Sequence, residues 1–254
     1  MLNLGLVSVS FRELSAGQII SLCRNNGLQQ IEWGGDIHVP HGDLQTAREV
    51  YAAAAAAGLQ TAAYGSYYRI GREASENPDW QAVMDTAAAL HAPIIRIWAC
   101  DRGSAEISDE LFAAAAAECR AICAAAAKKG ITVCAECHPN TLTDDYHSTL
   151  RLLKAVNHPA FRLYWQPNQH RDLAYNLEAI RAMRPYISNV HTFYWEGQEK
   201  LPIQKGAAVW AEYLRELQDY PRAFLFEFMP NGRPEELPGE IAAFKTIAQQ
   251  TGKI

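Results

Sequence analysis

Short apolar runs alternate with longer stretches of helical periodicity along the whole chain. Two of the longer stretches carry alanine runs at 52–57 and 113–117, and alanine is the strongest helix former, so both are interpreted as helix interiors. Gly27, Gly58 and Gly130 each end a helical stretch and suit the left-handed position that follows a helix. Each glycine leads into an apolar run that predicts a buried strand.

The pattern predicts eight strands separated by eight helices. The strands are expected at residues 2–8, 28–33, 59–64, 93–99, 131–136, 161–166, 187–193 and 222–228. Regular alternation of strand and helix indicates a parallel sheet, and eight units in about 250 residues match a (β/α)8 TIM barrel. We therefore predict an α/β protein with one barrel domain over residues 1–254. A doubly wound sheet is the alternative, but no G-x-G-x-x-G motif follows the first strand.

Composition narrows the class of protein. The 254 residues are 49% hydrophobic and carry a formal net charge of −5, which argues against broad nucleic-acid binding. No apolar run approaches the ~20 residues of a membrane helix, so no membrane association is expected. The N-terminus shows no signal peptide, and six cysteines are too few for a disulfide scaffold. We expect a reduced, cytoplasmic protein.

Strand alternation brings four polar side chains to one end of the predicted barrel. Glu136, Gln166, His191 and Glu227 each lie late in one of the four last strands, on the face opposite to apolar neighbours. Active sites of barrels lie at the carboxyl ends of the strands. Two carboxylates, an imidazole and an amide oxygen suit a divalent cation, so these four residues are the predicted metal ligands.

A structural alternative exists for the acidic residues. A buried carboxylate costs several kcal/mol unless it is paired or binds a cation. Glu136 and Glu227 could satisfy this requirement by pairing with Arg96 or Arg162 in a buried network, without a metal.

The motifs at these strand ends resemble those of the xylose isomerase-like TIM barrels, the sugar phosphate isomerase/epimerase superfamily. The resemblance covers nearly the whole chain. It rests on Cys-Ala-Glu-Cys-His-Pro at 134–139, Asn-Val-His at 189–191, Phe-Glu-Phe at 226–228 and Ile-Glu-Trp-Gly-Gly-Asp at 31–36. Each motif is weak alone, but their order and spacing together are moderately specific.

The resemblance implies roles for the four residues. In ketose 3-epimerases of this superfamily, the glutamates corresponding to Glu136 and Glu227 bind a divalent ion and also transfer the proton. An aspartate stands where this chain has Gln166, and His191 matches the remaining ligand. The expected cofactor is Mg, Mn or Zn, bound more weakly or lost because Gln166 removes one negative charge. The histidine three residues after the aspartate is also absent, since Gln169 holds that place.

Other polar and aromatic residues near the strand ends are candidates for substrate binding, because aromatic faces and hydrogen-bonding groups together suit a sugar. His138 is expected to hydrogen-bond a substrate oxygen, and His38 fits an ordinary loop residue equally well. The candidates are His138, Trp33, His38, Tyr64, Trp98, Asn168 and Trp195.

The resemblance implies a metal-assisted isomerase or epimerase of a small ketose or related polyol ketone. A dehydratase of a cyclic hydroxyketone and a catalytically inactive sugar-binding barrel are the alternatives. An endonuclease IV-like repair enzyme is disfavoured, because only one inward histidine is present and the net charge is −5. The expected partner is a small sugar, and a homodimer or homotetramer is left open.

Overall fold

Eight parallel strands close into a barrel within residues 2–217 and 222–252, the part of the chain that the computed structural model describes. Numbered in chain order, the barrel strands β1 to β8 are Asn3–Val7, Gln30–Gly34, Gln60–Ile70, Ile94–Ala99, Thr132–Glu136, Phe161–Trp165, Ile187–Thr192 and Ala223–Phe226. Each strand pairs with its successor, and β1 closes the barrel on β8 with Asn3 opposite Ala223. The predicted (β/α)8 TIM barrel is confirmed.

Eight α-helices, counted over the described residues, surround the strands. In chain order α1 to α8 are Ala16–Asn25, Leu44–Ala56, Trp80–Ala89, Asp109–Ala127, Tyr146–Val156, Leu173–Met183, Ala207–Leu217 and Leu237–Gln250. A short hairpin, Tyr194–Glu196 paired with Glu199–Leu201, lies between β7 and α7. None of the helices in the described ranges combines the length and apolarity that crossing a membrane requires.

The helix ends follow local sequence signals. Ser15 accepts the backbone N–H of Gln18, whose side chain bonds back to the Ser15 backbone, so α1 starts with a capping box. After α1, α2 and α4, the residues Gly27, Gly58 and Gly130 have φ values of 66°, 78° and 71°. These left-handed conformations agree with the predicted glycine positions after the helices.

Apolar side chains fill two separate layers. A small cluster lies inside the barrel, made by inward-facing strand residues such as Val7, Cys134 and Leu225. The larger layer lies between strands and helices, where Trp210 and Phe244 are fully buried with ring centroids 5.4 Å apart. Burying a side chain of this size contributes roughly 1.5–3 kcal/mol, so the outer layer supplies most of the apolar stabilisation.

Two strands end two or more residues from the position that the pattern predicts. β3 was expected to end at Tyr64 but continues to Ile70, with irregular pairing to β4 between Gly65 and Arg69. Polar and aromatic residues beyond Tyr64 hide this extension, because they lack the apolar pattern of a buried strand. β8 ends at Phe226, so Glu227 lies immediately beyond it, at the rim of the barrel.

Candidate active site

The four predicted ligand residues meet at the carboxyl end of the barrel. Glu136 ends β5, Gln166 follows β6, His191 lies near the end of β7, and Glu227 follows β8. All four are buried. Nδ1 of His191 lies 3.2 Å from Oε1 of Glu136, 3.2 Å from Oε1 of Gln166 and 3.3 Å from Oε2 of Glu227. Three oxygens from three strand ends thus surround one ring nitrogen.

The second ring nitrogen of His191 faces a third carboxylate. Nε2 of His191 lies 3.3 Å from Oε2 of Glu32, which belongs to β2. Glu32 can therefore accept a hydrogen from Nε2. At most one hydrogen is then available on Nδ1, and it can serve only one of the three oxygens around it. Oε2 of Glu227 makes no hydrogen bond to any residue in the described ranges.

Arg96 on β4 joins two of the buried carboxylates. Its Nε donates to Oε1 of Glu32 at 2.7 Å, and its Nη1 donates to Oε2 of Glu136. The indole Nε1 of Trp98 donates to the same Glu136 oxygen. Gly65 leaves room for the guanidinium, since a Cβ there would lie 2.8 Å from Nη2 of Arg96. One Glu136 oxygen is thus held by donors, while the other lies beside His191.

The structural network considered as an alternative exists only in part. Arg96 pairs with Glu136, but Arg162 donates to the backbone oxygen of Pro185 instead. The network does not account for Oε2 of Glu227, which lies 3.3 Å from Nδ1 of His191 and makes no hydrogen bond within the described residues. The Arg96 pairs and the convergence on His191 therefore coexist in one cluster.

The two glutamates of the cluster have pKa values shifted in opposite directions. Burial would raise the pKa of Glu136, but the charges of Arg96 and His191 outweigh burial and hold this pKa well below its usual range. Burial raises the pKa of Glu227 to about 7. Burial would lower the pKa of His191, but the carboxylates of Glu227 and Glu32 outweigh it and raise that pKa. Such a pair offers an ionised carboxylate beside one that exchanges a proton near neutral pH.

The donor set fits a divalent cation. Glu136, His191 and Glu227 each offer one ligand atom, and these atoms lie within 4.8 Å of one another. The amide oxygen of Gln166 lies beside the same nitrogen. A cation among them would neutralise the oxygens around His191 that a single N–H of the ring cannot all reach. Glu32 would then orient the imidazole, as carboxylates do behind metal-bound histidines.

One wall of the site is aromatic and carries a strained residue. The Trp98 ring lies 5.3 Å from the Tyr67 ring and 5.0 Å from the His138 ring, centroid to centroid. Tyr67 has a φ of 57°, a left-handed conformation that costs an aromatic residue about 1–3 kcal/mol. Its ring centroid lies 5.5 Å from Cζ of Arg96.

A second aromatic group forms around the hairpin after β7. Trp195 packs against Phe193 and Phe228, with ring centroids 5.7 Å and 5.3 Å away. Nζ of Lys200 lies 4.9 Å from the Phe228 ring centroid. Trp98 and Trp195, both predicted to bind substrate, thus stand in two different aromatic groups near the cluster.

Three other predicted binding residues lie in or beside the loop that follows β2: Trp33 in β2, His38 in the loop and Tyr64 in β3. Trp33 is fully buried beside His38, with ring centroids 6.2 Å apart. The two ring nitrogens of His38 lie 3.0 Å from Oγ of Ser8 and 3.0 Å from the Leu14 backbone oxygen. The hydroxyl of Tyr64 donates to the Val39 backbone oxygen. These bonds fasten the loop, and the structure does not bring His38 or Tyr64 into the cluster.

The last two predicted binding residues, His138 and Asn168, differ in which side-chain atoms remain available to a ligand. Nδ1 of His138 lies 2.7 Å from the backbone oxygen of Pro139. If Nδ1 donates there, Nε2 is left for a substrate group. Both polar atoms of the Asn168 side chain already have partners: Oδ1 accepts the His170 N–H, and Nδ2 donates to the Asp144 backbone oxygen.

Sequence reasoning missed Glu32 as a member of the cluster and considered Arg96 only as a structural partner. A charged residue inside an apolar strand was the available signal at both positions.

A closed (β/α)8 barrel with acidic and imidazole groups converging at its carboxyl end is the arrangement typical of TIM-barrel enzymes. The family model of the xylose isomerase-like TIM barrel matches residues 20–247. The chain belongs to this family, as its strand-end motifs indicate.

Individual relatives include both dehydratases and epimerases. The 3-dehydroshikimate dehydratase of Bacillus anthracis is 33% identical over 103 residues, which cover 38% of this chain and 35% of that protein. The crystal structure of the probable 3-DHS dehydratase AsbF from Bacillus anthracis has a TM-score of 0.77 at 21% identity, covering 96% of this chain and 99% of that one. D-Psicose 3-epimerase from Clostridium cellulolyticum H10 has a TM-score of 0.71 at 13% identity, covering 97% and 99%. These two structures support the fold alone.

Proposed function

We propose that the protein is a sugar isomerase or epimerase that acts on a small ketose or related polyol ketone by proton transfer through an enediolate. One observation carries the proposal: Glu136 and Glu227 approach the same imidazole nitrogen from strand ends on different sides of the site. Two carboxylates around one substrate can remove a proton at one face or atom and return it at another.

The two carboxylates differ in how freely they can take a proton. Oε2 of Glu136 is occupied by Arg96 and Trp98. Oε2 of Glu227 has no hydrogen bond within the described residues. Glu136, which is ionised, is therefore the residue that removes the proton next to the carbonyl through Oε1, and Glu227, whose pKa is about 7, gives its own proton to the enediolate. Exchange with solvent then returns Glu136 to the carboxylate and Glu227 to the acid.

The remaining residues of the cluster stabilise the developing charge and position the reacting groups. Glu136, Gln166, His191 and Glu227 would hold a divalent ion such as Mg, Mn or Zn, and the bound ion supplies Lewis-acid stabilisation to the developing enediolate oxygen. Arg96 keeps Glu136 ionised and in place. His138 offers Nε2 to a substrate oxygen.

A dehydratase is the second candidate, favoured by the 33% identity to 3-dehydroshikimate dehydratase over 103 residues. It would share the first proton removal, after which the second proton would go to a hydroxyl group, which leaves as water, and not to carbon. The product separates the two candidates, because loss of water leaves a conjugated, ultraviolet-absorbing ketone.

The test is hydrogen exchange in heavy water. Candidate ketoses and 3-dehydroshikimate are incubated with the protein, with added Mg, Mn or Zn and with a chelator, and deuterium is located by NMR. Deuterium on the carbon next to the carbonyl of a ketose, lost with chelator, is the expected result. Sugar binding without any exchange would contradict the proposal and favour an inactive binding barrel.

A further inference from the structure

The residue that follows Glu227 has a left-handed backbone. Phe228 has a φ of 55°, a conformation that brings a Cβ close to the next carbonyl oxygen and that only glycine adopts without cost. β8 has already ended at Phe226, so Phe228 turns the chain directly after a predicted ligand of the site. The conformation of Phe228 therefore fixes the C-terminal side of Glu227.

Glu227 receives little other support. The pairing of β8 with β7 ends with Phe226 opposite Thr192, and the Glu227 N–H donates to the Thr192 backbone oxygen at 3.2 Å. Oε2 of Glu227 lies 3.3 Å from Nδ1 of His191 but makes no hydrogen bond within the described residues. The direction of this oxygen is thus set by the backbone on either side of Glu227, and on one side that backbone belongs to Phe228.

Aromatic packing holds Phe228 in its left-handed conformation. Its ring meets the rings of Phe193 and Trp195 edge to face, at centroid distances of 5.6 Å and 5.3 Å. Nζ of Lys200 lies 4.9 Å from the Phe228 ring centroid and 5.5 Å from that of Trp195. Edge-to-face rings and a cation over a ring attract each other beyond the area they bury. We call Phe193, Trp195 and Lys200 the clamp.

The clamp is anchored independently of β8. Trp195 and Lys200 stand opposite each other in the hairpin that follows β7. The backbone oxygen of Phe193 accepts the indole N–H of Trp210, in α7, at 3.0 Å. Nε1 of Trp195 makes no hydrogen bond within the described residues, so this ring is held by packing. The hairpin and α7 thus keep in place a residue whose own backbone preference opposes it.

We infer that Phe228 is a positioning residue, which the clamp holds left-handed so that Oε2 of Glu227 faces the site. The inference rests on the proposed function, in which Glu227 is a metal ligand and a proton donor. It adds a coupling between the hairpin and the site. Without the clamp, Phe228 relaxes to a negative φ and Glu227 turns away from His191. Only a fraction of the molecules can then bind the ion, and the apparent affinity falls by that fraction.

The test separates backbone conformation from packing. Phe228→Ala and Phe228→Gly both remove the ring, but only glycine accepts a φ of 55° without cost. Mn²⁺ dissociation constants are measured by calorimetry on the full chain. Phe228→Ala should bind Mn²⁺ about tenfold more weakly than wild type, and Phe228→Gly should stay within about threefold of wild type. Equal weakening in both variants, or no Mn²⁺ binding to wild type, would overturn the inference.

His91 supplies the matched control pair. It has a φ of 52° and precedes β4, so it lies at the amino ends of the strands, away from the site. Alanine and glycine there both remove the stacking on Tyr51. His91→Ala should be less stable than His91→Gly in urea denaturation, and both should bind Mn²⁺ as wild type does. Weaker Mn²⁺ binding in His91→Ala alone would show that lost stability explains the Phe228 result.

A double-mutant cycle tests the clamp. Trp195→Ala should weaken Mn²⁺ binding severalfold in the wild-type background, because Phe228 loses a ring that holds it. The same substitution should have no effect in Phe228→Gly, since glycine needs no clamp. Equal weakening in both backgrounds would show that Trp195 does not act through Phe228. Circular dichroism and urea denaturation establish that each variant is folded.

Failure of the proposed function leaves a different signature. If Phe228→Ala loses Mn²⁺ affinity and Phe228→Gly keeps it, while wild type exchanges no deuterium into any ketose, the positioning role holds and the catalytic proposal fails. If wild type exchanges deuterium and the two variants bind Mn²⁺ equally, the catalytic proposal holds and the positioning role fails.

Discussion

Glu32 and His191 lie 159 positions apart in the chain, yet Oε2 of Glu32 is 3.3 Å from Nε2 of His191 inside the barrel. A carboxylate behind an imidazole fixes which nitrogen carries the hydrogen and which presents its lone pair. Here it leaves Nδ1 of His191 facing the oxygens of Glu136, Gln166 and Glu227.

Glu32→Gln should therefore weaken metal binding by about 10–100-fold, the usual cost of removing a partner behind a metal ligand. The measurement is Mn²⁺ titration by calorimetry on wild type and variant. Glu49→Gln is a matched control, because Glu49 accepts a hydrogen bond from Gln45 on the exposed surface of α2. Equal Mn²⁺ affinity in wild type and Glu32→Gln would show that Glu32 has no such role.

Glu136→Gln and Glu227→Gln should each lower deuterium exchange by at least about 10²-fold, since each removes a general acid–base group. Both variants keep the size of the side chain, and circular dichroism should show the wild-type fold. Exchange near the wild-type rate in either folded variant would refute the assigned proton transfer.

Arg96→Met should destabilise the protein by about 3–5 kcal/mol, because Glu32 and Glu136 would be left buried without their common cation. The free energy of unfolding is measured by urea denaturation. Adding Glu32→Gln to Arg96→Met removes one of the two stranded charges and should recover part of the loss. A double variant less stable than Arg96→Met alone would contradict this explanation.

Gln166→Glu should tighten divalent metal binding by about tenfold or more, because it adds a charged oxygen ligand without lengthening the side chain. Gln45→Glu adds the same charge on the surface of α2 and controls for net charge. If Gln166→Glu binds Mn²⁺ no better than wild type, Gln166 is not a ligand.

Glu240, which lies outside the active site, should make the free energy of unfolding depend on pH. Burial raises its pKa to about 6 from 4.5, although one oxygen accepts the Ile203 N–H at 3.0 Å. A raised folded-state pKa means that its favourable contribution is complete below pH 4.5 and is lost as the pH rises through 6.

Glu240→Gln keeps an oxygen for Ile203 and cannot ionise. It should be more stable than wild type by about 1 kcal/mol above pH 6, allowing for partial solvent screening, and this advantage should vanish below pH 4.5. Urea denaturation at several pH values measures the difference. A constant difference across this range would contradict the assignment.

The barrel and the convergence of Glu136, His191 and Glu227 could be predicted because period-two alternation decides which strand residues face inward. The ion pairs of Arg96 with Glu32 and Glu136 could not be predicted, since they depend on how far a long side chain reaches across the closed barrel. The hydrogen bonds of His38 and Tyr64 could not be predicted for another reason: they run to loop backbone, which carries no periodic signal.

Closure of the barrel has a consequence for biogenesis. The groups that neutralise Glu32 come from β4 and β7, and the last carboxylate arrives only after β8. A chain released before its final strand docks would hold Arg96 and His191 beside Glu32 and Glu136 in an open barrel that still lacks Glu227. Ligand binding therefore reports whether the whole polypeptide has reached its native topology. Cleaving one surface loop while all strands are retained should be tolerated far better than losing the final strand.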